Sequence, residues 1–259
     1  MKFAGFPKFV CMSVMAGVLS LVLTGCGANS SMSLTQGNWS MTATPTAGGN
    51  GTFYIGGNLS QSGSSVSANM YVVGSQCFDS SAQVALSGTV SGTQLVLTSG
   101  SVQGQVVTIT TKGTGGSTTS GTYTVAGGCD DGDTGNIAAT LVPSISATWS
   151  GPIVSQGGPN VTLSFALTQA ASASSNGTFA ISGNGSFANS SCSNSATVTN
   201  AFIAGPYLLV NGTTDDGGDF SYSQVLLNNP STPTSMKGTY QVFGGNCDGD
   251  LDNPTFTKQ

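Results

Sequence analysis

Val161-Thr162-Leu163-Ser164-Phe165-Ala166-Leu167-Thr168-Gln169 alternates apolar residues with small, mostly polar ones along its length. A helix would scatter these side chains around its axis, whereas a strand gathers the apolar ones on one face. The same alternation recurs at Val84, Leu86 and Val90 and again at Phe179 and Ile181. Between such runs stand turn formers: Gly48-Gly49-Asn50-Gly51, Ser62-Gly63, Ser91-Gly92, Gly115-Gly116 and Asn211-Gly212. They return about every 10 to 15 residues, the spacing of short strands joined by tight links. No segment carries a helical period with caps, so almost no helix is expected beyond the N-terminal leader. The fold class is therefore all-β. A meander with such short links closes into an up-and-down barrel or curls into a sandwich, because closure removes exposed strand edges.

The meander is written twice. Trp39-Ser40 returns as Trp149-Ser150, and Leu59-Ser60-Gln61 as Leu167-Thr168-Gln169. Gly121-Thr122-Tyr123-Thr124-Val125-Ala126-Gly127-Gly128-Cys129-Asp130 matches Gly238-Thr239-Tyr240-Gln241-Val242-Phe243-Gly244-Gly245-Asn246-Cys247-Asp248, with one residue inserted. Cys77 matches Cys192. Two tandem β units are thus expected, at 37–143 and 147–257, each of about seven or eight strands. The junction Val142-Pro143-Ser144-Ile145-Ser146 is short enough to leave the units touching.

Composition removes most enzyme classes. The chain has 259 residues, five lysines, ten aspartates and no Arg, Glu or His. Without His there is no Ser-His-Asp or Cys-His relay and no imidazole metal site; without Arg there is no bidentate clamp for phosphate. From Cys26 onward three lysines face ten aspartates, so nucleic acid is not an expected partner. No cofactor and no catalytic residue are expected.

The first 25 residues have the form of a secretory signal: Lys2 and Lys8, then a largely apolar run from Phe9 to Leu23, too short to span a bilayer. The run ends Leu23-Thr24-Gly25-Cys26, which resembles the lipobox of bacterial lipoproteins at all four positions. The resemblance implies a lipoprotein signal peptide at 1–25, cleavage before Cys26, and a diacylglycerol thioether on Cys26 with acylation of the new amine. Gly27, standing where an Asp would favour inner-membrane retention, implies lipid-anchored transfer to the outer membrane. Several acyl chains would hold durably where one is marginal. Residues 26–36 are then the lipidated Cys and a flexible tether.

The Gly37-Asn38-Trp39 start, the strand repeats and the Gly-Thr-Tyr motif resemble the calycin barrels, which include lipocalins and avidins. The resemblance implies a barrel with Trp39 and Trp149 on its floors. Lipocalins pack an Arg against that Trp and avidins line a cup with several Trp; this chain has no Arg and one Trp per unit, so ligand carriage does not follow.

With Cys11 in the leader and Cys26 lipidated, Cys77, Cys129, Cys192 and Cys247 remain, an even count in an exported chain. Of three pairings only Cys77–Cys129 with Cys192–Cys247 keeps each bond within one copy and treats both copies alike; a metal tetrad or free thiols are the alternatives, without any Cys-x-x-Cys in their support. The acids cluster: Asp130, Asp131 and Asp133; Asp215, Asp216 and Asp219; Asp248, Asp250 and Asp252. The one-three-five rhythm of Asp248-Gly249-Asp250-Leu251-Asp252-Asn253 is that of calcium loops without the distal Glu. The plainer reading is an Asp/Gly turn, and no metal is assigned. The function expected is a membrane-anchored cell-envelope lipoprotein acting as a non-catalytic binding or structural module. The alternatives are a calcium-dependent adhesion or glycan-binding module and an Asp-dependent hydrolase, with a glycan or a protein as the possible partner.

Overall fold

The computed structural model describes residues 31–46, 51–79, 82–154 and 161–259. The expected signal segment, Cys26 and Gly48-Gly49-Asn50 lie outside them. Among the described residues there is no helix; the elements are β1 (Ser33–Leu34), β2 (Gly37–Pro45), β3 (Phe53–Ser62), β4 (Ser65–Val73), β5 (Gln83–Ser91), β6 (Gln94–Ser99), β7 (Val106–Lys112), β8 (Gly115–Gly116), β9 (Thr118–Ala126) and β10 (Thr134–Leu141) in the first copy. The second copy holds β11 (Ala147–Ile153), β12 (Val161–Gln169), β13 (Phe179–Ala188), β14 (Ser195–Ala204), β15 (Tyr207–Thr214), β16 (Asp219–Leu227), β17 (Ser235–Phe243), β18 (Leu251–Asp252) and β19 (Thr255–Lys258).

Each copy closes on itself. In the first, β2 through β7, β9 and β10 pair in order and β10 returns to β2, with Leu141 opposite Trp39. In the second, β11 through β17 pair in order and β19 bridges β17 and β11. The strand equivalent to β10 is broken there into β18 and β19, because Pro254 offers no amide to the ladder. The expectation of two tandem antiparallel units resolves as two eight-stranded barrels. An eight-stranded barrel is just wide enough to be filled by side chains, and both are. Trp39, Ile55, Met70, Leu97 and Ile109 fill one lumen; Trp149, Leu163, Phe165, Tyr222 and Phe256 fill the other.

Both tryptophans are fully buried and both indole N–H groups donate over 2.8 Å to the carbonyl four residues upstream, Thr35 and Ile145. Those carbonyls belong to segments that cross and plug the barrel floor. Over its described part, residues 31–36, the flexible tether expected at 26–36 needs correction. Met32 and Leu34 are buried, β1 pairs in parallel with β8, and Gln61 clamps the segment, accepting from Leu34 N at 2.8 Å and donating to Met32 O at 3.1 Å. Two apolar side chains over an open barrel end outweigh the polar look of their neighbours. In the second copy Ile145 takes the same place, its amide donating to Gln169.

The floor of the second barrel rests on the flank of the first. Asn38 and Ser40 point outward from β2 yet are buried. Asn38 donates to Gly205 O at 3.1 Å and accepts from Gly205 N at 2.6 Å. The β12–β13 loop supplies the other grip: Asn58 N donates to Gly177 O, Asn69 donates to Ser175 O, Asn176 donates to the Tyr71 hydroxyl, and Tyr71 stacks on Phe202.

Candidate functional site

Following the chain direction around each barrel places the described loops at one of two ends. The plugged floors gather the β3–β4, β5–β6 and β7–β9 links and their counterparts. The opposite ends, the mouths, gather the loops that hold the cysteines and the aspartates. Both expected disulfides are present, Cys77–Cys129 and Cys192–Cys247, with Cα atoms 5.5 and 5.7 Å apart.

The mouths are built alike. Ser75 Oγ accepts the amides of Cys77 and Phe78, as Ser190 Oγ accepts those of Cys192 and Ser193. Across the mouth, Gly127 N donates to Asp131 Oδ1 and Gly244 N donates to Asp248 Oδ1, each at 2.7 Å. Gly132 N donates to Val125 O, and Gly249 N to Val242 O. These contacts keep a constant offset of 117 residues from Tyr123 and Tyr240 through Asp133 and Asp250. The inserted residue read from the sequence is therefore not an insertion. The two turns have one length, and the cysteine has moved by one place: Cys129 is equivalent to Asn246, and Asp130 to Cys247.

Their polar interiors differ. In the first mouth Gln105 donates to Cys77 O and accepts from Asp130 N, and the Tyr123 hydroxyl donates to Asp133 Oδ2 at 2.9 Å. In the second, Asp216 accepts from Thr214 Oγ1, Ser193 Oγ and Asn246 N. The Thr214 hydroxyl leads the causes that hold the Asp216 carboxyl down at about 2, with the other donors adding to it against a smaller opposing effect of burial. Asp250 is pushed the other way, above the usual carboxylate range, by burial. Its Oδ2 and the Tyr240 hydroxyl are buried without a hydrogen-bond partner, although their counterparts Asp133 Oδ2 and Tyr123 are bonded to each other.

The aspartates of the calcium-like run do not converge. Asp248 caps Gly244, Asp252 accepts from the amides of Val154 and Asn253, and Asp250 turns toward the disulfide. The acid-and-sulfur groupings that do form among the described residues are Cys77, Cys129 and Asp130, and Cys192, Cys247 and Asp250. Their sulfurs are joined in disulfides and offer no thiolate to a metal. The Asp215 and Asp216 carboxylates are likewise engaged by amides and hydroxyls within the mouth.

A segregation of charge emerges that sequence clusters only hinted at. All ten aspartates lie in the mouth loops or the strand halves next to them; Lys112, Lys237 and Lys258 lie in the floor halves. Lys258 sits over the Trp149 ring at 5.9 Å. Each barrel is acidic at the mouth and basic at the floor. The signal was present in the sequence, since every aspartate sits within a few residues of a cysteine or a mouth turn, but the strand directions were needed to see it. A surface cleft of about 480 Å³ also runs where the barrels meet, lined by Thr42, Lys112, Thr119, Ala138 and Pro230.

Comparison of the chain with protein-family models, with curated proteins and with solved structures gave no match.

Proposed function

We propose that the protein is a lipid-anchored module of the bacterial cell envelope, attached through Cys26 to the outer membrane, with a binding or structural role and no catalytic one. The observation that carries this reading is the lipobox-like Leu23-Thr24-Gly25-Cys26, and the plug sets the orientation that an anchor there would give. Met32 to Gln36 are held against the floor of the first barrel, so a lipid on Cys26, six residues before Met32, keeps that floor at the membrane and directs the first mouth away from it. The direction of charge agrees. An aspartate-rich mouth is repelled by an anionic lipid surface, and Lys112 lies at the floor. A non-catalytic role is supported by the fate of the polar groups: both lumens are filled with apolar side chains, and Asp131, Asp216 and Asp248 are engaged in holding turns.

The test is the Cys26→Ser variant together with metabolic labelling by a palmitate analogue. The native chain should take up label and partition into detergent, and the variant should do neither. Label persisting in Cys26→Ser would overturn the anchoring.

A further inference from the structure

Among the described residues four large apolar side chains are exposed, Val96, Val154, Phe243 and Leu251. Three of them share one place, the outer wall of the second barrel at its mouth. Asp219 on β16 is the register partner of Phe243 on β17. Leu251 on β18 is the register partner of Gln241, two residues from Phe243 on the same face. The Val154 amide reaches Asp252 Oδ2, beside Leu251. Across β16, β17 and β18 and the residue that follows β11 the wall thus reads acid, aromatic, aliphatic, aliphatic. Phe243, Leu251 and Val154 are 48, 59 and 72% exposed.

Single exposed apolar residues need no explanation, but a contiguous group does. The duplication supplies an internal control. The equivalent row on the first barrel is Val106, Ala126, Thr134 and Thr44: a half-buried valine stands in place of the acid, and Ala and Thr in place of the exposed Phe243, Leu251 and Val154. The fold therefore does not require them, since the same barrel closes without them. From this we infer that the mouth wall of the second barrel, centred on Phe243 and Leu251, docks a lysine- or arginine-rich protein segment that carries an apolar anchor.

The charge selects that occupant. Asp219 and Asp248 are exposed beside the apolar row, and none of the described lysines lies at this end. A second copy docked mouth to mouth would bring acid against acid, and an anionic membrane would be repelled likewise. A cationic segment gains from both halves of the surface, with apolar burial giving affinity and the aspartates giving register and encounter rate.

This inference rests on the reading of the protein as a binding module and is tested without the lipid, so its failure is distinct from a failure of Cys26 anchoring. The chain from Cys26 onward, unacylated, is titrated into a labelled heptapeptide of alternating Lys and Leu, its Glu/Leu counterpart, and phosphatidylcholine vesicles. Saturable one-to-one binding of the Lys/Leu peptide is expected, weakened about tenfold or more in Phe243→Ala/Leu251→Ala. Asp219→Asn should weaken it further at low salt than at high salt. Both apolar positions are exposed, so thermal melts should coincide with those of the native chain. Adding Ala126→Phe/Thr134→Leu to the first mouth should leave the affinity of the second unchanged. Equal binding by the double alanine variant, equal binding of the Glu/Leu peptide, vesicle binding that depends on Phe243, or no saturable binding up to about 1 mM would each overturn the inference.

Discussion

At the scale of single residues the duplication sets up paired experiments. The Tyr123 hydroxyl satisfies Asp133 Oδ2, and removing it leaves a partly buried carboxylate with one donor fewer. Tyr123→Phe should cost about 1–3 kcal/mol. Tyr240 occupies the same place with its hydroxyl buried and unpartnered, so Tyr240→Phe should cost about zero or stabilise. Urea unfolding of both variants checks this, and equal losses would contradict it. Asp216 and Asp250 make a second pair. The Asp216 carboxyl is held down at about 2 by the Thr214 hydroxyl and its other donors. A depressed folded pKa stabilises above the unfolded value, about 3.9, and that stability is lost as pH falls from there toward 2. Asp216→Asn should therefore lower the melting temperature at pH 7 and lose its effect near pH 2. Asp250 carries a raised pKa through burial, so its ionised form costs stability above that pKa. Asp250→Asn should raise the melting temperature at pH 7, and the gain should fade as the pH falls through the raised value toward 4. Nothing in the sequence pointed to this. An aspartate in an Asp/Gly turn reads as ordinary surface, and only its closeness to the disulfide shows the burial.

Among the elements, what the sequence made legible was whatever a period of two can record. Val161 to Gln169 emerges as a strand with Val161, Leu163, Phe165 and Leu167 inward, and the outward Ser and Thr carry the wet face. The disulfide pairing was legible through symmetry between copies, even though Cys247 stands one place off its counterpart. What stayed hidden has no period. The floor plug is five residues with two apolar side chains, and its sequence is that of a linker. The β12–β13 loop, Ala170 to Thr178, replaces the tight Gly63-Ser64 turn of the first copy and reads as small polar filler. Its use lies in a partner surface that local sequence does not mention. The plug can be tested on its own. Met32 is buried against the floor, and Met32→Ala should cost about 2–5 kcal/mol. With Trp149→Phe as background, Trp39 reports the first barrel, and its unfolding midpoint should fall. An unchanged midpoint would mean the segment is a tether after all.

For the whole molecule, the question is whether duplication produced two beads or one body, and the answer turns on glycine. Gly56 and Gly205 bring two backbones together: a Cβ on Gly205 would lie 2.4 Å from Gly56 Cα and 2.9 Å from Trp39 O. Gly205 also holds φ at +59°, where a side chain is strained. Asn38 completes the contact with its reciprocal bonds to Gly205. Its counterpart in the second copy is Thr148, exposed because no third barrel lies there. The first copy has thus acquired a docking residue at a position the second leaves in water. Gly205→Ala should push the barrels apart, since backbone atoms cannot yield as a flexible side chain would. The expected outcome is a larger radius of gyration in solution scattering and the appearance of two thermal transitions, with both disulfides intact. Asn38→Ala should act in the same direction and cost about 1–2 kcal/mol as a lost pair of buried hydrogen bonds. Thr148→Ala, at the equivalent exposed site, should leave scattering and melting unchanged. A Gly205→Ala chain with native dimensions and a single transition would mean that the barrels are joined by their short link alone, and that the Asn38 contact follows from their nearness instead of causing it.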